Sequence, residues 1–209
     1  MITKIFKCYE IDLNKIDFSD KKNSYDNSFS YILLSYENNN IGIQTPKMIN
    51  TNGILINNNG KFYLKLQNFN KNEILFNEFI NMIDNYIIEY AFKNNINDTW
   101  GGSINDYKKK YVYSFKKDIN TKEDYLLTKI QKNDDLGWFF EIYNTKKELI
   151  KKNDFNKDEI IKVILLCNGI WITKNNFGLI WSIGQMQLYD TKPIQGLSIL
   201  DDDDIYDIF

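Results

Sequence analysis

Along KFYLKLQ, residues 61–67, apolar and polar positions alternate. Phe62, Leu64 and Leu66 fall on one side of an extended chain, and Lys61, Tyr63, Lys65 and Gln67 on the other. FSYILLSY (29–36) and IGIQTP (41–46) read as strands separated by ENNN, a turn composition. YKKKYVYSF (107–115), YLLTKIQ (125–131) and GWFFEIY (137–143) follow as further strands. IKVILLCNGIWIT (161–173) and FGLIWSIGQMQLY (177–189), joined by KNN, predict a long hairpin. The first of these two is apolar on both faces, which places it at the centre of a sheet.

One segment breaks the two-residue period. From about residue 72 to about 93 the apolar spacing is helical. Leu75, Phe76, Phe79, Met82, Ile83, Tyr86, Ile87 and Tyr90 form a broad apolar face. Asn77, Asn81, Asp84, Asn85 and Glu89 fall opposite. The segment opens with Asn70 and Glu73, an arrangement close to a capping box. A short helical turn is expected near 145–150, and residues 14–28 and 190–200 read as loop and linker. Many short strands with turns between them imply a barrel or sandwich. With a single inserted amphipathic helix, the reading is mainly β: an OB-fold-like barrel over residues 1–190, then a linker and acidic C-terminal tail over 191–209. A two-layer α+β sheet is the alternative.

Charge changes this picture at the C-terminus. The chain of 209 residues carries a net charge of -2, yet Asp201, Asp202, Asp203, Asp204 and Asp207 contribute five negative charges. Without those five the remainder carries +3. A mildly basic body with an acidic tail is the pattern of a domain that meets a polyanion. Four consecutive carboxylates repel one another and cannot enter a core, so the tail is expected to be solvated and disordered. Hydrophobic content of 43% supports a packed body.

Composition also narrows the chemistry. Histidine is absent, which removes the commonest general base and metal ligand. Cys8 and Cys167 are too few for a disulfide framework or zinc site, and a reducing compartment, cytoplasmic or nuclear, is the default. Gly101-Gly102 reads as a tight turn and Asp134-Asp135 as a turn pair. The N-terminus has no stretch suited to a signal peptide, and no segment reaches the length of a membrane span. The expectation is a protein without enzymatic activity, metal or cofactor.

Binding is better supplied. Lysines that follow phosphates and rings that stack on bases are what a single-stranded nucleic acid site needs. Lys61, Tyr63 and Lys65 share one strand face. Lys108, Lys109, Lys110, Tyr111 and Tyr113 form a denser cluster, which also suits a lysine-blunted edge strand. Trp100, beside two glycines, is a candidate exposed ring. Trp181 shares a face with Gln185 and Gln187, at a passage from core to groove. Trp138 and Trp171 sit in apolar runs and read as core. The chain has no arginine, the usual bidentate reader of base edges, so contact with little sequence preference is expected.

The ending DDDDIYDIF resembles the tails of single-stranded DNA-binding proteins of bacteria and T7-like phages, in which an acidic stretch ends in phenylalanine. IQTPKM (43–48) and GIWITKNNFGLIWSIGQMQL (169–188) resemble segments of the single-stranded DNA-binding family of large nucleocytoplasmic DNA viruses, related to the T7-like proteins. On that resemblance Gln44, Thr45, Pro46, Lys47, Trp171, Gly178, Trp181 and Gln185 are motif positions. It implies an OB-fold, a viral replication site in the host, and polymerase or helicase partners. Lys47 then joins the candidate phosphate contacts, while Asp201–Asp204, Asp207 and Phe209 become the partner-binding element. A protein-interaction adaptor and a virion structural protein stay open as alternatives, as do DNA against RNA and homo-oligomer formation.

Overall fold

The computed structural model describes residues 3–25, 27–70, 73–133 and 137–189. The linker, the acidic tail and the Asp134-Asp135 pair lie outside the described residues.

The architecture is mainly β, and its centre is a closed ring of five strands. These are β1 (Met48–Ile56), β2 (Phe62–Asn68), β3 (Asp124–Ile130), β4 (Glu159–Ile172) and β5 (Phe177–Tyr189). β1 pairs antiparallel with β2, and β2 with β3. β3 meets β5 in parallel at Lys129 and Ser182. β5 returns antiparallel along β4, and β4 closes the ring on β1. β4 and β5 form the long hairpin expected from their sequence. Closure buries Leu64, Leu66, Leu126, Ile130, Ile161 and Leu165, and it removes the open edges that a flat sheet would expose.

β1 was not legible as a strand, because MINTNGILI mixes asparagines with apolar residues and is kinked at a bulge between Asn50 and Ile54. Upstream, Asn40–Gln44 pairs with the other half of β4. The step between them is bridged at Thr45. Its backbone N donates to Val163 O at 2.9 Å, and its Oγ1 accepts from Val163 N at 3.1 Å. Pro46, with no N–H to place in a ladder, fits at this interruption. β4 also accommodates Ser30–Ile32, and it does so at Gly169. A Cβ there would sit 2.2 Å from Ile32 O, and the φ of +142° is itself a glycine conformation.

Helix α1 spans Ile74–Lys93, within the expected range. Its N-cap is Glu73, with no side-chain capping hydrogen bond, so the Asn70 capping box does not form. Phe76, Phe79, Ile80, Ile83, Ile87, Ile88 and Ala91 are buried. Each of these Phe and Ile side chains removed from water contributes about 1.5–3 kcal/mol. The buried arc is turned from the expected one. Leu75 and Met82 are exposed, and Asp84, expected on the polar side, is buried.

The segment 107–115 is a second correction. Residues Ile104–Lys110 form helix α2, and within the segment only Tyr111–Val112 and Phe115, the first residue of the strand Phe115–Lys117, are extended. Ser103 caps α2: its Oγ accepts from Asp106 N at 3.3 Å and donates to Asp106 Oδ2 at 2.6 Å. Lys108, Lys109 and Lys110 occupy the last turn, where cations complement the helix dipole. α1 packs against α2 and β5.

Smaller expectations also change. Residues 14–28 include the strands Ile16–Phe18 and Lys22–Asn23. Near 145–150 there is a β-hairpin of Glu141–Tyr143 with Leu149–Ile150, turned by Asn144 Oδ1 accepting from Lys146 N and Glu148 N, in place of a helical turn.

Candidate nucleic-acid interface

Tyr63 on β2 lies directly across the ladder from Lys129 on β3, and Lys129 in turn from Ser182 on β5. Their neighbours Leu64, Thr128 and Ile130 are fully buried, so alternation turns Tyr63 and Lys129 to the outside of the ring. Over this face runs a groove of about 850 Å³. Lys61, Lys116 and Lys129 supply its charge. Phe29, Tyr63, Tyr113 and Trp171 supply rings, and Leu55, Val112, Leu127 and Leu179 apolar wall.

Among the described residues no carboxylate pairs with Lys61, Lys116 or Lys129. Lys129 is half-buried. Burial lowers its pKa, and the nearby Lys61 charge lowers it further. Like charges held together at a half-buried surface form a site that gains from an anion. Lys65, on the same strand face, is different: it pairs with Asp118 and lies 4.4 Å from the Tyr125 ring centre. That contact holds the Asp118 carboxyl well below the usual carboxylate range, aided by hydrogen bonds from Thr121 N and Asn120 N.

The groove floor is a buried polar network. Trp181 Nε1 donates to Ser114 Oγ at 2.8 Å. Ser114 Oγ donates to Asp84 Oδ1 at 2.6 Å, and Ser114 N to Asp84 Oδ2 at 2.9 Å. Tyr111 OH donates to Asp84 Oδ1 at 2.6 Å. Burial pushes the Asp84 carboxyl up, and the hydrogen bonds from Ser114 and Tyr111 oppose it. Burial also raises the Tyr111 hydroxyl well above its ordinary range, with the Asp84 charge adding to the effect.

The structure sorts the expected residues. Lys61 and Tyr63 line the groove, as does the partly exposed Tyr113. Tyr111, only 6% exposed, is a core residue and cannot offer a face to a base. Trp100 is buried, not an exposed loop ring. Its Nε1 donates to Lys174 O at 2.8 Å, and it stacks on Phe177 at 5.0 Å. Trp181 is 4% exposed and meets the groove only at its floor. Trp171, read as core, is half-buried and lines the groove, whereas Trp138 stacks against Phe140. Lys108 and Lys109 are exposed on α2, just before Val112 and Tyr113 in the chain. Lys47 is exposed elsewhere, with its Nζ 4.2 Å from the Tyr189 ring centre. Gln44 and Gln185 line a separate cavity of about 340 Å³ with Lys147 and Lys162.

Lys116, Lys129 and Phe29 were missed. For Lys129 the signal was present: in YLLTKIQ, Tyr125, Leu127, Lys129 and Gln131 share one face. Among the described residues there is no group of three or more His, Cys, Asp or Glu side chains placed to hold a metal ion. No helix there is long and apolar enough to cross a membrane.

A β-ring domain with a basic, aromatic groove is the class that the fold and site define. The chain belongs to DUF5871, a family of unknown function, which matches it over residues 52–198, from within β1 past the end of β5. No curated protein matches the chain.

Proposed function

We propose that this protein binds single-stranded DNA with little sequence preference, acts in replication, repair or recombination, and catalyses no reaction. The observation that carries the reading is the groove that Lys61, Lys116 and Lys129, without acidic partners among the described residues, line together with Tyr63. Lysine offers a point charge to any phosphate, and a ring accepts the face of any base. The groove crosses β2 and β3 of a five-strand ring, the face that an OB-fold uses for oligonucleotides, so the reading takes the ring as an OB-type barrel. The resemblance of residues 43–48 and 169–188 to a viral single-stranded DNA-binding family points the same way.

On this reading the acidic tail competes with DNA for the groove. Tethering gives it an effective concentration of the order of millimolar. Long DNA displaces it, and Phe209 then anchors a polymerase or helicase. Fluorescence anisotropy with labelled oligonucleotides at several salt concentrations tests the reading. Binding that weakens steeply with salt supports it. An absence of binding at low salt, for both the full chain and a form lacking residues 201–209, contradicts it.

A further inference from the structure

A second cavity, of about 700 Å³, adjoins the groove and shares Phe29, Lys129 and Ile180 with it. At this cavity lies Phe139, 63% exposed, with its ring available at the surface. The sequence around it explains the exposure. Trp138 and Phe140 stack on each other, with ring centres 6.1 Å apart, and both pack against Phe155, at 5.6 and 6.1 Å. With both neighbours committed to this cluster, Phe139 is left to the surface. Its backbone N donates to Gln131 O at 3.0 Å, which ties it to the end of β3. The ring is therefore presented from a backbone fixed on both sides. A fixed platform loses little conformational freedom when a flat partner stacks on it.

We propose that Phe139 is a second base-stacking platform, so that a single strand runs from the groove past Lys129 into the adjoining cavity. This rests on the single-stranded DNA reading above. Charge complementarity selects the occupant. Lys129 lies at the junction of the two cavities with no acidic partner among the described residues, so it can neutralise the phosphate between a base at Tyr63 and a base at Phe139. A neutral apolar partner would cover that half-buried charge and leave it unpaired.

The test is fluorescence anisotropy with oligothymidylates of increasing length, using the full chain and Phe139→Ala, Phe139→Leu and Phe139→Trp. On oligonucleotides long enough to cross both cavities, Phe139→Ala should bind roughly five-fold to a hundred-fold more weakly. Its salt slope should match the parent's, because no charge is lost. Phe139→Leu, which keeps apolar bulk without a ring, should show the same weakening, and Phe139→Trp should restore binding. On the shortest oligonucleotides that bind, the alanine variant and the parent should agree. Equal affinities for parent and both ring-less variants at every length, with binding itself intact, overturn the Phe139 platform and leave the DNA reading standing. No binding by the parent at low salt overturns both.

Discussion

Ser114 Oγ donates a 2.6 Å hydrogen bond to Asp84 Oδ1 beneath the groove, so a residue of helix α1 positions part of the groove wall. The same hydroxyl accepts from Trp181 Nε1, which carries the tie from the helix to strand β5. Helix and ring are joined by hydrogen bonds that need one another's geometry, and the apolar face of α1 supplies the burial that keeps water from them.

Asp84→Ala leaves Tyr111 OH and Ser114 N without their acceptor, and it should cost about 2–4 kcal/mol in urea unfolding. Asp84→Asn tests the charge. A carboxyl whose folded pKa is raised favours folding in its protonated form. Its contribution is complete below the unfolded value, about pH 4, and is lost as pH rises through the folded pKa. The stability difference, parent minus Asp84→Asn, should therefore decline as pH rises across that window. A difference that grows with pH contradicts the assignment.

Tyr63 and Tyr111 should separate cleanly. Tyr63→Ala should weaken single-stranded DNA binding by about five-fold or more, with an unchanged salt slope and normal stability. Tyr111→Phe should lose about 1.5–3 kcal/mol of stability, for one hydrogen bond to a charged group, and keep its DNA affinity. Urea titration and anisotropy on the same two variants check both halves.

Asp118 withholds Lys65 from the groove face. Asp118→Asn keeps an oxygen to accept from Asn120 N and Thr121 N but removes the charge. Lys65 then becomes available to a phosphate. DNA binding should tighten at low salt, and the slope of log K against log[salt] should steepen by about 0.7, one further contact. An unchanged slope would place Lys65 outside the DNA path.

Deleting residues 201–209 should tighten single-stranded DNA binding, most at low salt. Removing Phe209 alone should leave DNA binding nearly intact and weaken capture of a replication polymerase or helicase. Paired DNA titrations and pull-downs with the two forms read these outcomes. An affinity unchanged by the nine-residue deletion at every salt concentration contradicts tail competition.

Much of the ring was readable because buried strands declare themselves by period and composition. VILLC and FGLIWSI are apolar on both faces, and KFYLKLQ alternates. The failures have local causes. YKKKYVYSF looks extended, but Ser103 and Asp106 upstream form a capping pair that nucleates α2. The asparagines of β1 hid a strand whose Asn50 is fully buried and donates from Nδ2 to Asn156 O. Asp84 looked like a surface acid, because its partners Tyr111 and Ser114 lie 27 and 30 residues away in the chain. Half of the groove was legible for the same reason that β2 was, since Lys61 and Tyr63 stand on one face of an alternating strand. Lys116 enters it through the strand Phe115–Lys117, whose pairing with β3 no sequence period reports.

The most direct test of the groove is the salt dependence of binding by Lys61→Ala/Lys116→Ala/Lys129→Ala. The three side chains are surface or half-buried cations without acidic partners among the described residues, so the variant should fold as the parent does. Anisotropy with a labelled oligonucleotide from low to moderate salt gives the slope of log K against log[salt]. The account predicts weaker binding and a slope shallower by about 2, three contacts at about 0.7 each. A folded variant with the parent's affinity and slope would contradict it.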